Sequence, residues 1–89
     1  MKTIILYREH SDHAREVETF ISDLKRVSGQ DVETLDVDTR DGADFARLYD
    51  IVQYPAAVVT RDDGTLQKMW QGREGWPTIN DVEYFLKRF

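Results

Sequence analysis

No cysteine occurs among the 89 residues of this chain. That absence excludes disulfides, thiolate metal ligands, cysteine-held iron–sulfur clusters and a thiol nucleophile on this polypeptide. There is also no long hydrophobic run. The apolar stretch nearest the N-terminus, Ile4 to Tyr7, is too short for a signal-peptide core and far too short to span a bilayer, so the expected location is the cytoplasm. A basic stripe is missing as well: Lys plus Arg number 12 against 17 Asp plus Glu, a formal charge of -5. Scattered cations on an acidic chain argue against nucleic acid or a membrane surface as partner, because both reward clustered positive charge. Finally, there is no glycine-rich phosphate loop, no Ser/His/Asp constellation and no carboxylate pair whose separation the sequence sets.

What is present patterns clearly. Residues 1–89 are long enough for a single domain with one core. Thr3 to Tyr7 is apolar without alternation, as in a strand covered on both faces. Val17, Phe20, Ile21, Leu24 and Val27 follow at steps of three and four, predicting a helix that Gly29 stops and that Ser11 or Asp12 caps. Val32 to Asp38 alternates like a half-buried strand. A short helix opening at Asp41 and Gly42 is expected to bury Phe45, Leu48, Tyr49 and Val52. Ala56 to Thr60 and Leu66 to Trp70 flank Asp62-Asp63-Gly64, a hairpin signal. Gly72 to Pro77 reads as loop, after which Thr78 or Asn80 caps a last helix with Ile79, Val82, Phe85, Leu86 and Phe89 inward. The expected class is α/β: a mixed four-stranded sheet flanked by three helices, in the order βαβαββα.

Three stretches give that order a more specific meaning. They are Tyr7 with His10-Ser11-Asp12-His13, then Val52-Gln53-Tyr54-Pro55, then the Asp63-Gly64 hairpin followed by Trp70-Gln71-Gly72. Together they resemble the thioredoxin-like superfamily, with the layout of its small glutaredoxin branch. The resemblance places His10 and His13 where the family carries Cys-x-x-Cys, and Pro55 where it carries a cis-proline beside the helix entrance. It implies a free main-chain edge at Gln53, Tyr54 and Pro55, facing His10 and His13 across a groove. In the family a helix N-terminus turns the first cysteine into an attacking thiolate. Imidazole cannot do that work, so dithiol exchange by this chain is not expected.

The candidate ligand-binding residues are therefore His10, Ser11, His13, Gln53, Tyr54, Pro55 and Trp76, with a protein, peptide or small ligand as the partner and no catalytic residue assigned. No resident cofactor is expected. The alternative is weak divalent-metal binding through His10 and His13, since residues three apart on a helix face each other about 5–6 Å apart at Cβ and imidazole ligates zinc, copper and nickel. Two histidines fall short of the three or four ligands zinc normally takes. Another alternative is an accessory role beside a cysteine-bearing redox partner. The blander account of the two histidines is a solvent-facing polar pair left at a loop, and that of the acidic cluster Asp36, Asp38, Asp41 and Asp44 is a solvated turn rich in caps.

Overall fold

The structure is a computed structural model that describes residues 1–88; Phe89, the last expected apolar position, lies outside the described residues. The elements run β1(Lys2–Tyr7), α1(Ala14–Ser28), β2(Val32–Asp36), α2(Arg40–Leu48), β3(Ala56–Thr60), β4(Leu66–Gln71) and α3(Ile79–Arg88). The four strands form one sheet in the order β2-β1-β3-β4. β1 pairs parallel with β2 and antiparallel with β3, and β3 pairs antiparallel with β4. This is the expected α/β architecture.

The two central strands explain their own composition. Residues 3–7 and 56–60 are all buried, so both faces of β1 and β3 are apolar apart from Thr3 and Thr60 at one end of the strands. Alternation then sends Ile5, Tyr7, Ala57 and Val59 to one face, where Val17, Ile21 and Leu24 of α1 and Val82 and Leu86 of α3 cover them. The other face receives Leu6, Ala56 and Val58, which pack with Val37, Ala46 and Ile51. Full burial of each large aliphatic side chain contributes about 1.5–3 kcal/mol.

Helix boundaries follow local chemistry, with some departures from expectation. Gly29 adopts a left-handed φ of 70° and its N–H bonds the Lys25 carbonyl, closing α1. Neither Ser11 nor Asp12 caps that helix through its side chain. His13 is the capping position and makes no side-chain cap bond, while the Ser11 main-chain carbonyl accepts from Ala14 N–H at 3.2 Å. Val27 is 51% exposed, because it continues the line of Phe20 at the margin of the Val17–Ile21–Leu24 stripe.

In α2 the Thr39 hydroxyl caps Gly42 N–H at 3.1 Å. The buried positions are Gly42 and Ala46, with Phe45 and Tyr49 beside them. Leu48 is exposed, since two residues past Ala46 turns it about 200° around the helix. Asp50 then takes a left-handed φ of 55°, and Ile51 N–H returns to the Ala46 carbonyl at 2.8 Å. This αL exit carries Ile51 into the core in place of Val52, which is exposed. Thr78 is the cap of α3, sharing reciprocal bonds with Asp81 at 2.9 and 3.1 Å.

Candidate binding site at the strand-to-helix junction

β1 ends where Arg8 and Glu9 replace the apolar run, and the chain from Arg8 to His13 crosses the edge of the sheet before α1 begins. Neighbouring loops hold this crossing. Val37 N–H donates to the Tyr7 carbonyl at 3.1 Å, and the Arg8 Nε donates to Asp38 Oδ1 at 3.2 Å. Ser11 Oγ donates to the Arg8 carbonyl at 2.6 Å. Asp36 is equally occupied, accepting from Asp38 N–H at 2.8 Å and Glu9 N–H at 3.4 Å. These bonds fit a capped, solvated turn at the acidic cluster.

Both histidines precede Ala14, the first helical residue, so they do not form a facing pair on a helix. The His10 imidazole is exposed and makes no hydrogen bond or ring contact among the described residues. His13 is half-buried. Its Nε2 accepts from Arg8 N–H at 3.3 Å, and its ring meets Tyr7 edge-on at 6.4 Å. An accepting Nε2 puts the proton of the neutral imidazole on Nδ1, leaving neither nitrogen with a free lone pair while that bond lasts. The His13 pKa is lowered, first by burial and then by the Arg73 and Arg8 guanidiniums, against the opposite pull of Asp12 and Glu16. Tyr7 is pushed up, by burial and then by Glu18, Glu9 and Asp36. Among the described residues no group of three or more His, Cys, Asp or Glu side chains converges in a way that would hold a metal ion.

Across the junction, the Tyr54–Pro55 peptide bond is cis. The β1–β3 register ends at Leu6 opposite Ala56; continued by two residues it would set Arg8 against Tyr54. There the two are joined by side chains alone, the Arg8 guanidinium lying 5.5 Å above the Tyr54 ring. The Tyr54 hydroxyl donates weakly to the Ile51 carbonyl at 3.4 Å. No hydrogen bond among the described residues uses the main-chain N–H or C=O of Tyr54. Its neighbours are engaged. The Pro55 carbonyl accepts from Gly72 N–H at 2.9 Å, and Val52 and Gln53 N–H groups both donate to Gln71 Oε1, at 3.0 and 3.2 Å. Gln53 thus belongs to the β4 side of the loop. Gly72, at a φ of 77°, lies so close that an added Cβ would meet the Gln53 side-chain oxygen at 2.6 Å.

Beside Pro55 opens a cleft of about 330 Å³, lined by Glu16, Val17, Thr19, Phe20 and Asp23 of α1 together with Pro55, Arg73 and Trp76. Phe20 and Trp76 stand edge to face, 5.2 Å between centroids, both partly buried against the core. Of the residues expected at the site, Pro55 and Trp76 line this cleft, and Tyr54 adjoins Pro55 in the chain. Ser11 and His13 sit at the start of α1, whereas His10 and Gln53 are set apart from it. Sequence reasoning missed Phe20, Glu16, Asp23 and Arg73. Phe20 carried a signal, being the apolar residue at the edge of the α1 stripe.

Neither the protein-family models nor the curated proteins contain a match to this chain. Solved structures do. Thioredoxin 1 from the thermophilic eubacterium Thermosipho africanus is 15% identical at a TM-score of 0.71, over 99% of this chain and 97% of that one. Thioredoxin-2, a component of the malaria parasite protein secretion machinery, is 17% identical at 0.67, over 99% of this chain and 84% of its own. A second structure, described as a malarial protein, is 17% identical at 0.64 over 99% and 97%. Fold is what is shared at such identities.

Proposed function

From a thioredoxin-like fold without sulfur nucleophiles, we propose a redox-inactive, glutaredoxin-like binding domain. It takes an extended segment of a partner protein along the main chain of Tyr54 and seats one side chain of that segment in the cleft beside Pro55. The observation that carries this reading is that the N–H and C=O of Tyr54 are unpaired among the described residues, next to a cleft walled by Phe20, Pro55 and Trp76. An extended peptide gains main-chain hydrogen bonds by strand addition and specificity from pockets for alternate side chains. Ser11 and His13 lie just before α1, and His10 is exposed in the same loop. The net charge of -5 favours a protein partner over nucleic acid or an anionic membrane, and no helix among the described residues is long and apolar enough to cross a membrane. A cytoplasmic setting agrees with a chain that makes no use of disulfides.

The test is a titration with acetylated and amidated extended hexapeptides, followed by amide chemical shifts. The expected result is movement of the Tyr54 amide and the Trp76 indole together, with weaker binding in Tyr54→Ala through loss of the ring. Shifts scattered elsewhere, or none, would defeat the reading. A disulfide-reduction assay on the purified chain is expected to give no turnover, and measurable turnover would remove the redox-inactive part. Calorimetric titration with zinc, copper and nickel bears on the same site: micromolar binding lost in His10→Ala and His13→Ala would replace the peptide role with a metal one.

A further inference from the structure

The cleft has a feature that main-chain pairing leaves unused. Glu16 and Asp23 are seven residues apart on α1, two helical turns, and therefore share one face with Phe20 between them. Two carboxylates thus bracket an aromatic wall completed by Trp76. We propose that this cleft selects a lysine or arginine side chain from the bound segment, an inference that rests on the peptide-binding reading above.

The chemistry of the lining matches that occupant. The aliphatic stem of a long cationic side chain lies against apolar surface while its charged head seeks oxygen. Phe20, Trp76, Val17 and Pro55 provide the apolar wall, and aromatic rings attract a cation held over them. Glu16 forms no salt bridge among the described residues, and its charge acts on His13. Asp23 already holds a guanidinium, that of Arg26 at 3.0 Å, in a pair whose side chains are 75% and 43% exposed. A pair so exposed is weak and exchanges readily for an incoming cation of better geometry. Arg73, also in the lining, lies toward His13, on which its charge acts. Its like charge opposes a cation near it, and the carboxylates of α1 offset it.

The experiment uses the full chain carrying Trp70→Phe, so that Trp76 is the sole tryptophan and its emission reports the cleft. Trp70 itself packs on Phe85, away from the cleft. Three blocked hexapeptides, identical except for a central Arg, Leu or Glu, are titrated. The Arg peptide is expected to bind about fivefold tighter than the Leu peptide, from two partly exposed ion pairs, and the Glu peptide weakest. Glu16→Gln with Asp23→Asn is expected to bring Arg and Leu level. Arg26→Gln is expected to tighten the Arg peptide alone, because it frees Asp23. A Leu peptide that binds as tightly as Arg overturns the cation preference and spares the groove, whereas an Arg advantage that survives the double substitution overturns the selection by Glu16 and Asp23. If none of the three binds, the groove reading itself falls and the inference with it. Far-UV circular dichroism confirms that each variant is folded.

Discussion

His13 shows how little a residue type says until its partners are placed. As a bare imidazole it is a base, a ligand and a hydrogen-bond donor. Beside Arg8 it is an acceptor with its lone pair in use, and burial together with two guanidiniums keeps it neutral to lower pH than a free histidine. Its pKa in the folded chain is therefore below that of the unfolded chain, about 6.5. The unfolded chain takes up the proton first as pH falls. The His13 contribution to stability is fully present above about 6.5 and is lost as pH falls through the folded value. Urea midpoints measured from pH 8 to pH 5 are expected to fall more steeply for the wild-type chain than for His13→Gln across that window. Parallel curves for the two would contradict the assignment. The two chains differ only at position 13, so the difference between their curves reports His13.

At the scale of elements, the sequence pattern located the strands and helices because the helices carry a helical period, the central strands are unbroken apolar runs and turn residues separate them. It failed where a helix ends. Leu48 and Val52 are apolar and continue a stripe on paper, but the left-handed Asp50 ends the helical phase and Ile51 takes the core position. No periodicity announces an αL residue that is not glycine. The start of α2 has its own steric demand. A Cβ at Gly42 would collide with the main-chain carbonyl of Asp36, so the helix begins as close to the end of β2 as the backbone allows. Gly42→Ala sets two effects against each other. Alanine is favoured over glycine in a helix by about 1 kcal/mol, whereas overpacking against a fixed carbonyl costs about 1–3 kcal/mol. The collision wins, because the atom met is backbone and cannot rotate away. The variant is expected to unfold at lower urea than the wild type, and a midpoint equal or higher would show that α2 can shift outward freely.

For the whole molecule, one sheet serves two cores. Ile5 and Val59 point to the α1–α3 side and Leu6 and Val58 to the α2 side, yet each pair lies on the same two strands. Neither cluster can open without loosening β1 and β3, the strands that hold the other. Unfolding is therefore expected to be a single transition. Tryptophan emission, which reports the α1–α3 side through Trp70 and Trp76, and far-UV circular dichroism, which reports all elements, should give coincident urea curves. A circular-dichroism loss ahead of the tryptophan signal would mean that α2 and its cluster melt separately, and the reverse order that the α1–α3 side does. The same arrangement sets the candidate site, since β1 and β3 end together and leave Tyr54 beyond the last ladder pair, beside the start of α1.

The local order of the chain settled the elements, their polarity and the missing thiol chemistry, because periodicity, turn residues and the absence of an atom type are properties of the chain itself. It also marked Pro55 and Trp76. What folding alone decided was the company each side chain keeps: that His13 spends its lone pair on Arg8, that Gln53 turns toward Gln71, and that Phe20, Glu16 and Asp23 meet Trp76 across a cleft. Arg8 and His13 are five positions apart, Gln53 and Gln71 eighteen, and Asp23 and Trp76 more than fifty, and a periodic pattern carries no information about which of them the packing of helix on sheet will bring within reach.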